Sequence, residues 1–103
     1  MPKPDIIIVD DHDIFRDGLK SLISLKNIAT VVGEASNGVE FLEILQNIKP
    51  NIVLMDIAMP LMDGITATEK ALAIYPDLNI LVLSMFGEEE YYYKMINKQV
   101  LIF

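Results

Sequence analysis

The sequence predicts an α/β fold, a doubly wound parallel sheet flanked by helices, and three observations carry that prediction. Short, continuous, β-branched apolar runs recur at 6–9, 30–32, 52–55 and 80–83, each too uniformly apolar to leave one face in water. Longer stretches with helical spacing separate them. The length of 103 residues, 52% of them hydrophobic, suits one domain with one sheet and excludes a two-domain enzyme or a disordered chain.

The elements follow in order. After the first run, Ile14, Phe15, Gly18, Leu19, Leu22, Ile23 and Leu25 obey the i, i+3, i+4, i+7 rule and predict an amphipathic helix with Arg16, Asp17 and Lys20 outward. The second helix is expected through Val39, Leu42, Leu45 and Ile48, entered by Ser36-Asn37-Gly38 and stopped by Lys49-Pro50. The third spans 65–75 and closes at Pro76-Asp77. The fourth spans 88–97, its three leading acids favouring the positive end of the helix dipole. A last apolar run at 100–103 begins a fifth strand. Strict alternation of buried strands and helices calls for parallel strands joined by right-handed crossovers.

Composition narrows the function. Fifteen acidic residues against eight Lys and Arg give a net charge of −7, which opposes contact with nucleic acid by this chain. The absence of Cys excludes disulfides, thiolate metal sites and cysteine nucleophiles. No apolar run approaches the roughly 20 residues of a membrane helix, and the N-terminus lacks a signal peptide's apolar stretch, so a cytoplasmic domain is expected.

In open parallel sheets functional groups gather beyond the C-terminal strand ends. The first strand closes on Asp10-Asp11 and the third on Asp56. Three crowded carboxylates repel one another unless a cation joins them, and an oxygen-only donor set selects a hard ion such as Mg²⁺. Ser84 closes the fourth strand and offers a hydroxyl to the same crevice. Pro60 and Gly64 shape a tight loop able to present a main-chain carbonyl, such as that of Ala58, to a cation. His12 has no second His with which to build a nitrogen-rich metal site and is read as structural or solvated.

These residues resemble a known family. Val9-Asp10-Asp11-His12, Phe15-Arg16-Asp17-Gly18-Leu19, Asp56-Ile57-Ala58-Met59-Pro60, Met62-Asp63-Gly64 and Leu83-Ser84-Met85 are similar in order and spacing to the receiver domain of bacterial two-component response regulators. The Asp-Asp-His and Arg-x-Gly-Leu details resemble the LuxR/NarL/FixJ-type branch, whose receivers precede a helix-turn-helix. The resemblance implies a flavodoxin-like (CheY-like) sheet of order 2-1-3-4-5. It implies that Asp56 accepts a phosphoryl group from the phosphohistidine of a sensor histidine kinase. Asp11, Asp56 and the Ala58 carbonyl would ligate Mg²⁺, Asp10 would assist through water, and Ser84 would bond the phosphoryl group. DNA binding is implied only for a longer parent protein.

The end of the sequence departs from the family pattern. Such receivers close the fifth strand with an aromatic, two residues and then a Lys that pairs with the phosphoryl oxygens. Phe103 falls at the aromatic switch position and is the last residue. The expectation is therefore a single receiver domain over 1–103 with a partial fifth strand and no fifth helix, weakened transmission to Ser84 and Phe103, and a homodimer or repacked oligomer covering the bared apolar surface. Two rival readings stay open: a switch-defective receiver fold kept for docking or dimerisation, and a phosphatase. The second rests on Asp11-His12-Asp13, which resembles the Asp-x-Asp signature of haloacid-dehalogenase-like enzymes, and it does not predict Asp56.

Overall fold

The computed structural model describes residues 2–83 and 100–102. Five strands, β1 (Asp5–Val9), β2 (Thr30–Ala35), β3 (Ile52–Asp56), β4 (Asn79–Leu83) and β5 (Val100–Ile102), form one parallel sheet of order β2-β1-β3-β4-β5. Three helices, α1 (Asp13–Lys26), α2 (Gly38–Ile44) and α3 (Gly64–Ile74), pack on its two faces. This is the expected doubly wound architecture and strand order. The expected fourth helix at 88–97, with Tyr91, Tyr92 and Tyr93, lies outside the described residues, as do Ser84 and Phe103.

Alternation along the strands sorts the core into two layers. Ile7 and Val9 of β1, Val53 and Met55 of β3, and Ile80 and Val82 of β4 face α2 and α3, sealed against Phe41, Leu45, Ile65, Ala67 and Ala71. Ile6 and Ile8 face the other way, toward Ile23, Ala29 and Leu19. The second layer is thinner. Val53, Met55 and Val82 are fully buried, while their neighbours Leu54, Leu81 and Leu83 are only half-buried. The strands thus differ in wrapping: β2, at the sheet edge, is mostly half-buried and not the doubly buried strand expected of it.

Local chemistry places the helix ends. The Asn37 carboxamide accepts from the Glu40 amide at 2.9 Å and the Asp63 carboxylate from the Thr66 amide at 2.8 Å, each satisfying a first-turn donor. Glu40 reaches back to accept from the Ser36 amide. Asn27 ends α1 with φ 53°, its amide donating to the Ser24 carbonyl. Several boundaries depart from expectation. β2 runs on to Ala35, with a bulge between the pairs Ile6–Val31 and Ile7–Gly33 that keeps both layers in phase. α2 stops at Ile44, the expected last turn becoming tight turns closed by Asn47 and Ile48 amides on the Ile44 carbonyl. α3 begins and ends one residue early.

The face assignment of α1 needs correction. Ile14 is 89% and Leu25 84% exposed, and only Ile23 of this helix is buried. Arg16, expected outward, points in, its side chain 13% exposed. A guanidinium can occupy that place because Asp13, Glu34 and the Asp10 carbonyl meet it there.

Candidate functional site

β1 and β3 are hydrogen-bonded neighbours, so their C-terminal ends emerge side by side. Asp10 follows β1 immediately and is buried; its amide donates to the Ala35 carbonyl at 3.0 Å, carrying the β1 direction one residue further. Asp56 is the last residue of β3 and is 8% exposed. Asp10, Asp11, His12 and Asp56 each bring one side-chain donor atom into a group whose members all lie within 4.8 Å of one another. The three carboxylates picked from sequence therefore do converge, and His12, read as structural or solvated, joins them.

The loop after Asp56 holds it in place. The Gly64 amide donates to the Ile57 carbonyl at 2.8 Å, and a Cβ at residue 64 would collide with the main-chain carbonyl of Asp56. The chain thus folds back on the very residue that ends β3, a close approach that requires glycine. Leu61, in the same loop, takes φ 67°. Ala58 is exposed, two residues beyond Asp56. Ser84 and Phe103 lie outside the described residues.

The electrostatics of this mouth are uncompensated. His12 Nδ1 stands 2.8 Å from Asp10 Oδ1, 3.2 Å from Asp11 Oδ1 and 4.0 Å from Asp56 Oδ2, while its ring is 68% exposed. Its amide also donates to Asp10 Oδ1 at 2.8 Å. The hydrogen bond to Asp10, helped by the charge of Asp11, raises the imidazole pKa above its usual value. Among the described residues, buried Asp11 Oδ1 and Asp56 Oδ2 accept no hydrogen bond. Burial, and then the charges of Asp10 and Asp11, push the Asp56 carboxyl up to about 6, against donation from the Ile57 amide and attraction by His12. Buried carboxylate oxygens without donors are costly unless a cation meets them. The three carboxylates of this group fit a hard divalent ion, with the His12 imidazole at their rim.

Sequence reasoning missed a second charged cluster beside this one. The Arg16 Nε donates to Glu34 Oε1 at 3.0 Å and Nη2 to Asp13 Oδ1 at 2.7 Å; Nη1 donates to the main-chain carbonyl of Asp10 and lies 3.5 Å from Ser36 Oγ. Lys20 Nζ is 2.8 Å from Glu34 Oε2. The hydrogen bond from Lys20 holds the Glu34 carboxyl below its usual range. Glu34 sits within an apolar strand and Arg16 on a helix, so only the packing of α1 beside β2 announces the pairing.

Residues 6–102 match the family model of the response regulator receiver domain. The chain belongs to that family. This receiver is 44% identical over 86 residues to the transcriptional regulatory protein YhcZ of Bacillus subtilis, covering 84% of this chain and 40% of YhcZ. It is 37% identical to the transcriptional regulatory protein DegU of Brevibacillus brevis over 86% of this chain and 38% of DegU. The chain therefore spans about two fifths of the length of these curated relatives. Among solved structures it superposes on the signal receiver domain of the response regulator NarL from Mycobacterium tuberculosis with a TM-score of 0.86 at 29% identity, covering 99% of this chain and 85% of that one. Membership of this regulatory family takes the place of the phosphatase reading, and Asp13, which that reading needs in the crevice, pairs with Arg16 at the start of α1. No helix among the described residues is long and apolar enough to cross a membrane.

Proposed function

We propose that this chain is a single phosphoacceptor receiver domain in which Asp56 takes a phosphoryl group from the phosphohistidine of a sensor histidine kinase. The observation that carries this is Asp56 itself, a buried carboxylate at a strand end with an unpartnered oxygen aimed at Asp10 and Asp11. In the transfer, an Asp56 oxygen forms a bond to phosphorus while the donor's P–N bond breaks, and the electron pair leaves with the imidazole nitrogen, which then takes a proton. Water later cleaves the acyl phosphate, restoring the carboxylate and releasing inorganic phosphate.

Asp11, Asp56 and the main-chain carbonyl of Ala58 would hold Mg²⁺, with Asp10 assisting through water. When bound, the ion supplies positive charge that offsets repulsion between the carboxylate and the incoming phosphoryl oxygens. The protein's own part is to hold Asp56 unsolvated, so that its oxygen needs little stripping of water before it attacks. Exposed His12 stands at the rim of the crevice, hydrogen-bonded to Asp10. The resulting acyl phosphate adds charge beside Asp10 and Asp11, and neighbouring loops rearrange to supply donors. In this reading Ser84 donates to the phosphoryl group and Phe103 occupies the aromatic switch position. The output is regulation of transcription in a longer protein, the DNA contact being made outside this chain. Exposed Ile14, Leu22 and Leu25 on α1 support self-association through that face, which light scattering tests.

The deciding experiment is incubation with acetyl phosphate and Mg²⁺, followed by intact and peptide mass spectrometry. A single added phosphoryl group on Asp56, absent in Asp56→Asn and in the presence of a chelator, is expected. Labelling that survives Asp56→Asn overturns the reading.

A further inference from the structure

Arg16 is nearly buried, carries a charge that cannot be discharged by deprotonation, and has no place in the phosphoryl chemistry described above. Its guanidinium joins three pieces of chain: the start of α1 through Asp13, the end of β2 through Glu34 and Ser36, and the end of β1 through the Asp10 carbonyl. The last contact is the informative one. The Asp10 carbonyl belongs to the planar peptide unit that links Asp10 to Asp11, so fixing its direction fixes ψ of Asp10 and φ of Asp11 together. The amide on the other side of Asp10 is already held by the Ala35 carbonyl. Among the described residues the side chain that meets these acids is the His12 imidazole, 68% exposed and borne by the residue after Asp11, so it moves with their main chain and cannot set their angle independently of it. Their main chain has to be held from behind.

We infer that Arg16 is a positioning residue for the cation site: by clamping the Asp10–Asp11 peptide it sets both carboxylates in the crevice without touching ion or phosphoryl group. The inference rests on the Mg²⁺-dependent reading of the crevice and assigns the helix-borne Arg a part in it. The fork matters as much as the charge. Three separate directions are served by Nε, Nη1 and Nη2, and a lysine ammonium at the same place can serve Glu34 while abandoning the Asp10 carbonyl. Lys20 supplies a natural control, because it shares Glu34 with Arg16 and ties the same helix to the same strand, with no contact to Asp10 among its described partners.

The test is calorimetric titration of the 103-residue chain with Mg²⁺ alone, for the wild type, Arg16→Gln, Arg16→Lys and Lys20→Gln, with folding of each checked by circular dichroism. Both Arg16 variants are expected to bind Mg²⁺ about 10-fold more weakly, the usual scale for removing a residue that orients a ligand. Lys20→Gln stays within about twofold of wild type on the same reasoning. In the metal-free ¹⁵N spectrum the Asp11 and His12 amide signals move in the Arg16 variants and stay in Lys20→Gln, a signature that loss of a helix–strand tie does not produce. Wild-type affinity in folded Arg16→Gln overturns the inference. So does full affinity in Arg16→Lys, which would reduce the role to through-space charge. Should Arg16→Gln not fold, Arg16→Lys, which keeps the tie to Glu34, decides the matter. If the wild type itself takes up no Mg²⁺, the cation-dependent reading fails and the inference falls with it, an outcome distinct from an Arg16 variant that binds normally.

Discussion

Two charged clusters lie side by side at one end of the sheet, and they are built on opposite principles. At the α1–β2 flank, Arg16 and Lys20 meet Glu34 and Asp13, so every buried or half-buried charge has its opposite within hydrogen-bond reach. At the β1–β3 mouth, three carboxylates face one another, with one exposed imidazole among them and two buried oxygens without donors among the described residues. The flank is complete as it stands. In the proposed reading a cation completes the mouth, and charge imbalance held in place by a rigid sheet is the kind of feature that marks a candidate functional site over a structural ion pair.

The largest effect expected from this contrast is on ligation. Saturating Mg²⁺ stabilises the folded chain by about 2.7 kcal/mol at a hundredfold excess over the dissociation constant, and a chelator removes the gain. Thermal melts with and without the ion measure it, and a melt indifferent to Mg²⁺ breaks the contrast. Next in size is the pair of glycines. Gly64→Ala drives a methyl into the Asp56 carbonyl and costs about 2 kcal/mol. Gly18→Ala, half a turn from Arg16, meets open space and gains about 0.5–1 kcal/mol through helix propensity. Urea unfolding of both variants separates a backbone packed on the mouth from a helix that merely borders it.

Smaller, but opposite in sign, are the effects of removing one acid from each cluster. Without metal, Asp56→Asn relieves a desolvated, repelled charge and raises stability by about 1 kcal/mol, discounted for the open side of the crevice. Glu34→Gln strands Arg16 and Lys20 and lowers it by about 1 kcal/mol, discounted likewise. Like signs in chemical denaturation refute the distinction. The two clusters also respond oppositely to pH. Asp56 has a folded pKa of about 6, above its unfolded value, so the folded state holds the proton more tightly and metal-free stability declines as pH rises from about 4 through 6. His12, also raised, adds stability that is full below its unfolded pKa near 6.5 and is lost as pH climbs through its folded value. Glu34, lowered, contributes above its unfolded pKa near 4.5 and loses that contribution as pH falls through its folded value. A melting-temperature profile without metal should therefore decline on the alkaline side because of the mouth and on the acid side because of the flank, and Mg²⁺ should flatten the alkaline decline alone.

Much of this was legible in the chain. The runs at 6–9, 52–55 and 80–83 became strands of one parallel sheet, and the acids that end the first and third of them meet. That pairing was readable because strand ends are marked by local pattern and because parallel strands send their C-termini to the same side. Arg16 was misplaced for a physical reason: an amphipathic pattern ranks residues by polarity, and a guanidinium with partners at the ends of β1 and β2 and the start of α1 is buried at little cost. Ile14 and Leu25 failed in the converse way, their helical spacing being correct while no described neighbour covers them. The bulge in β2 and the early stop of α2 were hidden too, since each answers to the fit of one layer on another.

By itself the amino-acid order determined the alternation of strand and helix, the helix entry at Ser36-Asn37-Gly38, the glycine in the loop after Asp56 and the placing of acids at strand ends, because each depends on residues within a few positions of one another. Tertiary structure alone decided which acids become neighbours at hydrogen-bond scale, which of them lose their donors, and that Arg16 turns inward to hold Asp10. Those outcomes depend on distances between residues far apart in the chain, and the energy of a charge is set by the few ångströms around it, which no local pattern records.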